Sequence, residues 1–235
     1  MTWLVLQQMS FEGPALIGVV AAARGLELRV VRTDSGEPVP SPDAVEAYEG
    51  VIVLGGAMGA LDDDAHPALI AERALVAAAI ERGVPVLGMC LGAQIIAVAA
   101  GAQLSRGDES EDGLGTVELT DAGLDDPVIG PAGPTVPVFH WHEDTITLPE
   151  GAVLLASNEN YPHQAFRLGR TVYGFQFHLE MGPDQLAGIA DELPAHADRD
   201  PERARAVERV GRGVFDRYFA LVEAERTGAA AGGSA

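Results

Sequence analysis

Val84-Pro85-Val86-Leu87-Gly88-Met89-Cys90-Leu91-Gly92-Ala93-Gln94 is the stretch on which the fold turns. Its first half is a short apolar run suited to a buried strand, with Pro85 near the start, where a missing donor does least harm. From Leu91 to Ala100 the composition turns helical, and Gly101 closes that run. A strand that feeds a helix within one residue is half of a βαβ unit. The same alternation repeats upstream: Leu4-Val5-Leu6, Leu28-Arg29-Val30-Val31 and Val51-Ile52-Val53-Leu54 read as strands, while residues 14–24 and 67–81 read as helices ended by Gly25 and Gly83. In the second helix Leu69, Ile70, Leu75 and Ile80 are available for one buried face. The pattern predicts an α/β fold, three-layered, with a mostly parallel central sheet and flanking helices.

Between Gly101 and Thr171 the character changes. Val117-Glu118-Leu119, Val136-Pro137-Val138-Phe139 and Val153-Leu154-Leu155 are separated by Gly, Pro, Asp and Asn, which predicts a small antiparallel β insertion. A strand over 171–177 follows, then helices over 183–193 and from 201 to about 225. The last carries Val207, Val210, Val214, Phe215, Phe219 and Leu221 at spacings that fit one apolar face. Residues 1–227 are expected to form one domain, and the Gly/Ala/Ser-rich residues 228–235 a flexible tail.

Composition narrows the chemistry. Of 235 residues, 47 % are apolar, enough for a sizeable core, so global disorder is out. The formal charge is −20, from 35 acidic residues against 15 basic ones. Such a surface repels phosphate backbones and anionic lipid, so neither nucleic acid nor a membrane is an expected partner. All 15 basic residues are Arg. Without lysine there is no Walker-type phosphate loop, pyridoxal-phosphate Schiff base or lysine nucleophile. Cys90 is the only cysteine, which rules out an intramolecular disulfide or a multi-thiolate metal site and fits a reducing compartment. The first residues lack a basic lead and a small-residue cleavage site, and no apolar run approaches the roughly 18 to 20 residues of a spanning helix, so a cytoplasmic location is expected.

Gly88-Met89-Cys90-Leu91-Gly92 puts the thiol on a sharp strand-to-helix turn with glycines two residues to either side, the nucleophile-elbow arrangement. Beside a helix N-terminus the partial positive charge favours a thiolate, and the N–H of Leu91 points into the same space as an oxyanion donor. An inert buried cysteine in a sheet-to-helix turn fits the same five residues. Phe175-Gln176-Phe177-His178-Leu179-Glu180 supplies the complement. On an extended chain His178 and Glu180 face one side, His178 as general base and Glu180 as its orienter, although a surface His-x-Glu pair at a strand end reads the same way. Val53-Leu54-Gly55-Gly56-Ala57-Met58-Gly59 lacks the spacing and the cation of a nucleotide loop, and suits an exposed loop N–H as a second oxyanion donor, or a plain turn. His140-Trp141-His142-Glu143-Asp144 offers two imidazoles, but nothing else in the sequence marks a third ligand. A substrate wall is the expected role of this segment, with no metal.

Taken together and in this order, the segments resemble the class I glutamine amidotransferases with a Cys-His-Glu triad, a flavodoxin-like fold, and most closely the free-standing group similar to the amidotransferase half of GMP synthase. The likeness runs from about Trp3 to Pro183. Gly55 to Met58 with Asp62-Asp63 resembles the family's oxyanion loop, Gly88 to Gln94 its nucleophile motif, and Phe177 to Glu180 its closing dyad. Trp141-His142-Glu143-Asp144 resembles its Trp-His-Gly-Asp stretch, and Gln164 to Arg167 the segment before its last strands.

The resemblance implies attack of Cys90 on the side-chain amide of glutamine, a γ-glutamyl thioester, release of ammonia, and hydrolysis to glutamate. Gly56 and Leu91 would be the oxyanion donors, Gln94 would contact bound glutamine, and the backbone around Trp141 and His142 would receive its α-amino and carboxylate groups. No cofactor is implied. Partners would be L-glutamine or another γ-glutamyl substrate and, for the ammonia, a separate synthetase subunit or acceptor. A γ-glutamyl hydrolase acting on a small γ-glutamyl amide, or a non-catalytic regulatory subunit, could use the same scaffold. One departure stands out: Glu143 replaces the group's usual Gly, which alters the charge or the room of that wall.

Overall fold

The structure is a computed structural model that describes residues 2–232. Along the chain run β1 (Thr2–Gln7), α1 (Ala15–Ala23), β2 (Glu27–Arg32), β3 (Val51–Val53), α2 (Ala68–Glu81), β4 (Val86–Met89) and α3 (Leu91–Ala99). Then come β5 (Leu104–Leu119), α4 (Asp121–Leu124), β6 (Thr135–Ile146), β7 (Val153–Ser157), β8 (Ala165–Leu168), β9 (Val172–Phe175), α5 (Pro183–Gly188) and α6 (Pro201–Gly232). All nine strands lie in one mixed sheet of order β2-β1-β3-β4-β9-β8-β7-β5-β6. The pairs from β2 to β9 are parallel, and those from β9 to β6 are antiparallel. The antiparallel strands therefore extend the parallel sheet rather than forming a second one.

Side chains alternate across this sheet and define two cores. Trp3, Val5, Ile52, Leu87 and Met89 pack with α1 and α6, while Leu4, Leu6, Val51, Val53 and Val86 pack with α2 and α3. Strict period-two alternation with apolar residues on both faces is what a strand covered by helices on either side requires. On α6, Val207, Val214, Phe215 and Phe219 are buried as the spacing predicted, joined by Tyr218 and Val222. Trp3 meets Phe219 edge-on at 5.0 Å, which fastens the C-terminal helix to the first strand.

Several boundaries differ from the sequence reading. Strands β5 and β6 are far longer than Val117–Leu119 and Val136–Phe139. The charged run 105–112 carries no apolar alternation because most of it is exposed; Ser105 and Arg106, then Glu111 and Asp112, pair with β6 on either side of a register shift. Helix α5 stops at Gly188 instead of 193, since glycine propagates a helix poorly. Helix α6 instead continues past Glu225 to Gly232, across part of the expected tail; residues 233–235 of that tail lie outside the described residues. Ile70, expected on the buried face of α2, is 55 % exposed, and Val76 and Ala79 take its place. Among the described residues no helix is long and apolar enough to cross a membrane.

The register fixes the site. Gly88 pairs with Gly174 and Met89 with Phe175, so the end of β4 lies beside the end of β9. One ends at Cys90, and the other leads to His178. Gly92 must approach β3 closely, because an added Cβ would land on the carbonyl oxygen of Val53. Gly92→Ala is therefore expected to destabilise the protein by about 2 kcal/mol or more. A urea midpoint equal to that of the wild type would contradict this close packing.

Candidate active site

Cys90 sits at φ +50° and ψ −109°, a conformation that non-glycine residues rarely hold. Three backbone hydrogen bonds pin it there. Its N–H donates to the carbonyl of Phe175 at 2.8 Å, and its own carbonyl accepts from Ala93 at 3.0 Å and Gln94 at 3.2 Å. The flanking glycines are a steric need: a Cβ on Gly88 would come within 2.5 Å of the Gly92 backbone. The sulfur ends up at the N-terminus of α3, 3.5 Å from the carbonyl oxygen of Trp141.

His178 is fixed just as firmly. Its N–H donates to Phe139 at 2.8 Å, and Phe139 donates back at 3.1 Å, a two-way clamp onto β6. In the side chain, Nδ1–H donates to Oε1 of Glu180 at 2.6 Å, and Oε2 of Glu180 accepts the N–H of Leu179 at 3.0 Å. The alternation of an extended segment thus does place imidazole and carboxylate together. Nε2 is buried with no hydrogen-bond partner of its own. Burial opposes the imidazolium, but the charges of Glu180 and Cys90 outweigh it and hold the His178 pKa well above that of free histidine. A buried thiol, an imidazole disposed to carry a proton and an orienting carboxylate therefore converge at one place.

They open onto a cleft of about 580 Å³, lined also by Gly56, Gln94, Trp141 and His142. Gly56 and Leu91 are neighbours, since a Cβ on the former would lie 2.7 Å from the Leu91 side chain. Nothing among the described residues accepts a hydrogen bond from either backbone N–H. Gln94 is buried and donates to Gln176 at 3.3 Å, and Gln176 in turn reaches Sγ of Cys90 at 3.9 Å. The ring of His142 is buried against Glu111 and its backbone faces Glu111 in the β5–β6 ladder, whereas the carbonyl of Trp141 faces Cys90. Glu143 does not crowd the wall as a lone charge: both its oxygens bind the guanidinium of Arg106 at 2.5 Å.

Glu12 is a member of this site that the sequence did not mark. It lies in the loop between β1 and α1, is 5 % exposed, and leaves Oε2 without a partner. The bare backbone of Gly55 makes room for it, because a Cβ there would overlap the Glu12 carboxylate and lie 3.0 Å from Cε1 of His178. Burial lifts its pKa from 4.5 to about 7, opposed by His178 and reinforced by Glu180. The folded value exceeds the unfolded one, so the stability present below pH 4.5 is lost progressively as pH rises through about 7. Glu12→Gln should remove that loss, gaining on the order of 3 kcal/mol over the wild type on going from acid to mildly alkaline pH. A stability difference that does not change with pH in urea melts would contradict it.

Comparison with known proteins gives a consistent picture. The family model described as "Glutamine amidotransferase class-I" matches residues 17–188. The glutamine amidotransferase-like protein YfeJ of Salmonella typhimurium is 34 % identical over 183 residues, covering 77 % of this chain and 76 % of YfeJ. GMP synthase [glutamine-hydrolyzing] of Porphyromonas gingivalis is 32 % identical over 142 residues, 60 % of this chain, and the match spans only 26 % of that longer protein. Among solved structures, a glutamine amidotransferase from Thermotoga maritima superposes with a TM-score of 0.83 at 29 % identity, over 95 % of this chain and 98 % of its own.

Proposed function

This chain belongs to the class-I glutamine amidotransferase family, and from that membership we propose that it hydrolyses the side-chain amide of L-glutamine through a thioester on Cys90. The observation that carries the reading is the division of roles on the His178 ring: Nδ1 is committed to Glu180, which leaves Nε2 for the Cys90 thiol.

In this mechanism Cys90 gives its thiol proton to Nε2 of His178 as its sulfur attacks the amide carbon, and the carbonyl π pair moves onto oxygen, which the N–H groups of Gly56 and Leu91 stabilise. When the tetrahedral intermediate collapses, the imidazolium of His178 gives its Nε2 proton to the leaving nitrogen, and ammonia departs. A water then loses a proton to Nε2 as it attacks the thioester, and glutamate leaves as the thiol is restored. Glu180 keeps Nδ1 protonated throughout, so that Nε2 does the proton transfer. Gln94, Trp141 and His142 line the same cleft, and the amino-acid part of the substrate would lie against them.

The ammonia would pass to an acceptor on a separate synthetase, in keeping with the glutamine-hydrolysing GMP synthase among the relatives. The Glu143–Arg106 pair on the cleft wall also suits a second reading, a hydrolase for γ-glutamyl amides that carry a polar or charged group. A panel of such amides, assayed with the purified protein, separates the two. Glutamine is expected to be the preferred substrate, with a severalfold rise in kcat when the cognate synthetase is added. A strong preference for a bulkier amide, with no partner needed, would overturn the first reading.

A further inference from the structure

The fold supplies what the sequence around His140 and His142 lacked. In the β5–β6 register Glu111 is the cross-strand partner of His142, and Gly113 that of His140, so one carboxylate lies beneath both rings. Oε2 of Glu111 is 3.3 Å from Nδ1 of His140 and 3.1 Å from Nε2 of His142. All three ligand atoms lie within 4.8 Å of one another. The three residues are 5 %, 7 % and 9 % exposed for His140, His142 and Glu111, respectively.

Hydrogen bonding decides which lone pairs point where. Nδ1 of His142 lies 3.2 Å from the carbonyl oxygen of Asp144, which only accepts, so that nitrogen carries the proton. Nε2 of His140 lies against the Gly115–Thr116 backbone, and the backbone of Thr116 accepts from the ring. The remaining nitrogens, Nε2 of His142 and Nδ1 of His140, are buried without a hydrogen-bond partner and face a carboxylate. That carboxylate is already held as an anion: Oε1 accepts from Asn158 at 2.7 Å and Asn160 at 3.0 Å, and Oε2 from Gln164 at 2.7 Å. Two ring nitrogens and a carboxylate oxygen that converge on one buried point make a place where a cation could lie between them.

We propose that Glu111, His140 and His142 form a binding site for a divalent transition-metal cation of the zinc type. Ligand separations of 3.1 and 3.3 Å match the edges of a tetrahedron with bonds of about 2.0–2.1 Å, the geometry of zinc with nitrogen and carboxylate ligands. The backbone carbonyls of Asp144 and Thr116 and the three amides on Glu111 orient the ligands.

The cation's role is positional. Just before Glu111 the β5–β6 register shifts, and Trp141, whose carbonyl lies against the Cys90 sulfur, sits between the two ligating histidines. A cation there staples the irregular strand and holds that carbonyl in place.

The test is titration of chelator-stripped full-length protein with Zn²⁺ and, separately, Co²⁺. Wild type is expected to take up one equivalent of Zn²⁺ with a rise in Tm. Co²⁺ should give the visible ligand-field bands of a tetrahedral nitrogen and oxygen site, without a thiolate charge-transfer band. His140→Asn and Glu111→Gln should each weaken Zn²⁺ binding at least about tenfold. No uptake by the wild type, uptake unchanged in both variants, or a charge-transfer band placing the ion on Cys90 would each overturn the proposal. Should neither variant fold, the Co²⁺ spectrum of the wild type decides alone.

Discussion

Cys90→Ser is expected to abolish glutamine hydrolysis, by at least about a thousandfold in kcat, while leaving the fold intact. The serine oxygen fits where the sulfur sits, and the backbone hydrogen bonds from Cys90 to Phe175, Ala93 and Gln94 do not involve the side chain. The loss is chemical. A hydroxyl is far harder to ionise than a thiol, and the raised pKa of His178 suits it to sit as the cation of an ion pair rather than to strip a proton from an alcohol. Activity retained within a factor of about three would remove Cys90 from the mechanism.

The second large effect concerns the dyad. His178→Asn should lower kcat by roughly a thousandfold, because no other group among the described residues shares the position of Nε2 between the thiol and the cleft. Glu180→Gln should be milder, costing orientation and part of the imidazolium's stabilisation while a carbonyl oxygen still accepts from Nδ1–H. The reverse ranking would mean that the roles of the two residues are wrong. In the wild type, one limb of the pH profile should follow the titration of His178, raised above that of free histidine. It should lose that character in His178→Asn.

How much of this was legible in the sequence depends on what each feature rests on. The parallel half of the sheet was readable because helices bury both faces of its strands, so the apolar runs announce themselves, and because Gly25, Gly83 and Gly101 adopt the positive φ that ends a helix. Cys90, His178 and Glu180 were readable because local rules set their geometry: a two-glycine elbow and a two-residue strand alternation. Glu12 was not. Its chemistry comes from burial behind Gly55 beside His178, a contact between distant loops with no local signal. Glu111 was hidden for a different reason. It falls in a charged run with no apolar alternation to mark an inward face, and only the pairing of β5 with β6 turns it inward beneath His140 and His142. Gln176 stood in plain view within the His178 motif, but its contact with Gln94 and the thiol depends on how β9 meets α3.

The most direct test of the account is mass spectrometry of the intact protein after exposure to a glutamine-mimicking chloroketone. Cys90 is the only cysteine, so a thiol adduct has one place to form. The account expects a single adduct that peptide mapping places on Cys90, formed more slowly when excess glutamine competes for the cleft. An unmodified protein, or labelling that glutamine does not slow, would contradict a nucleophilic Cys90 in a glutamine site.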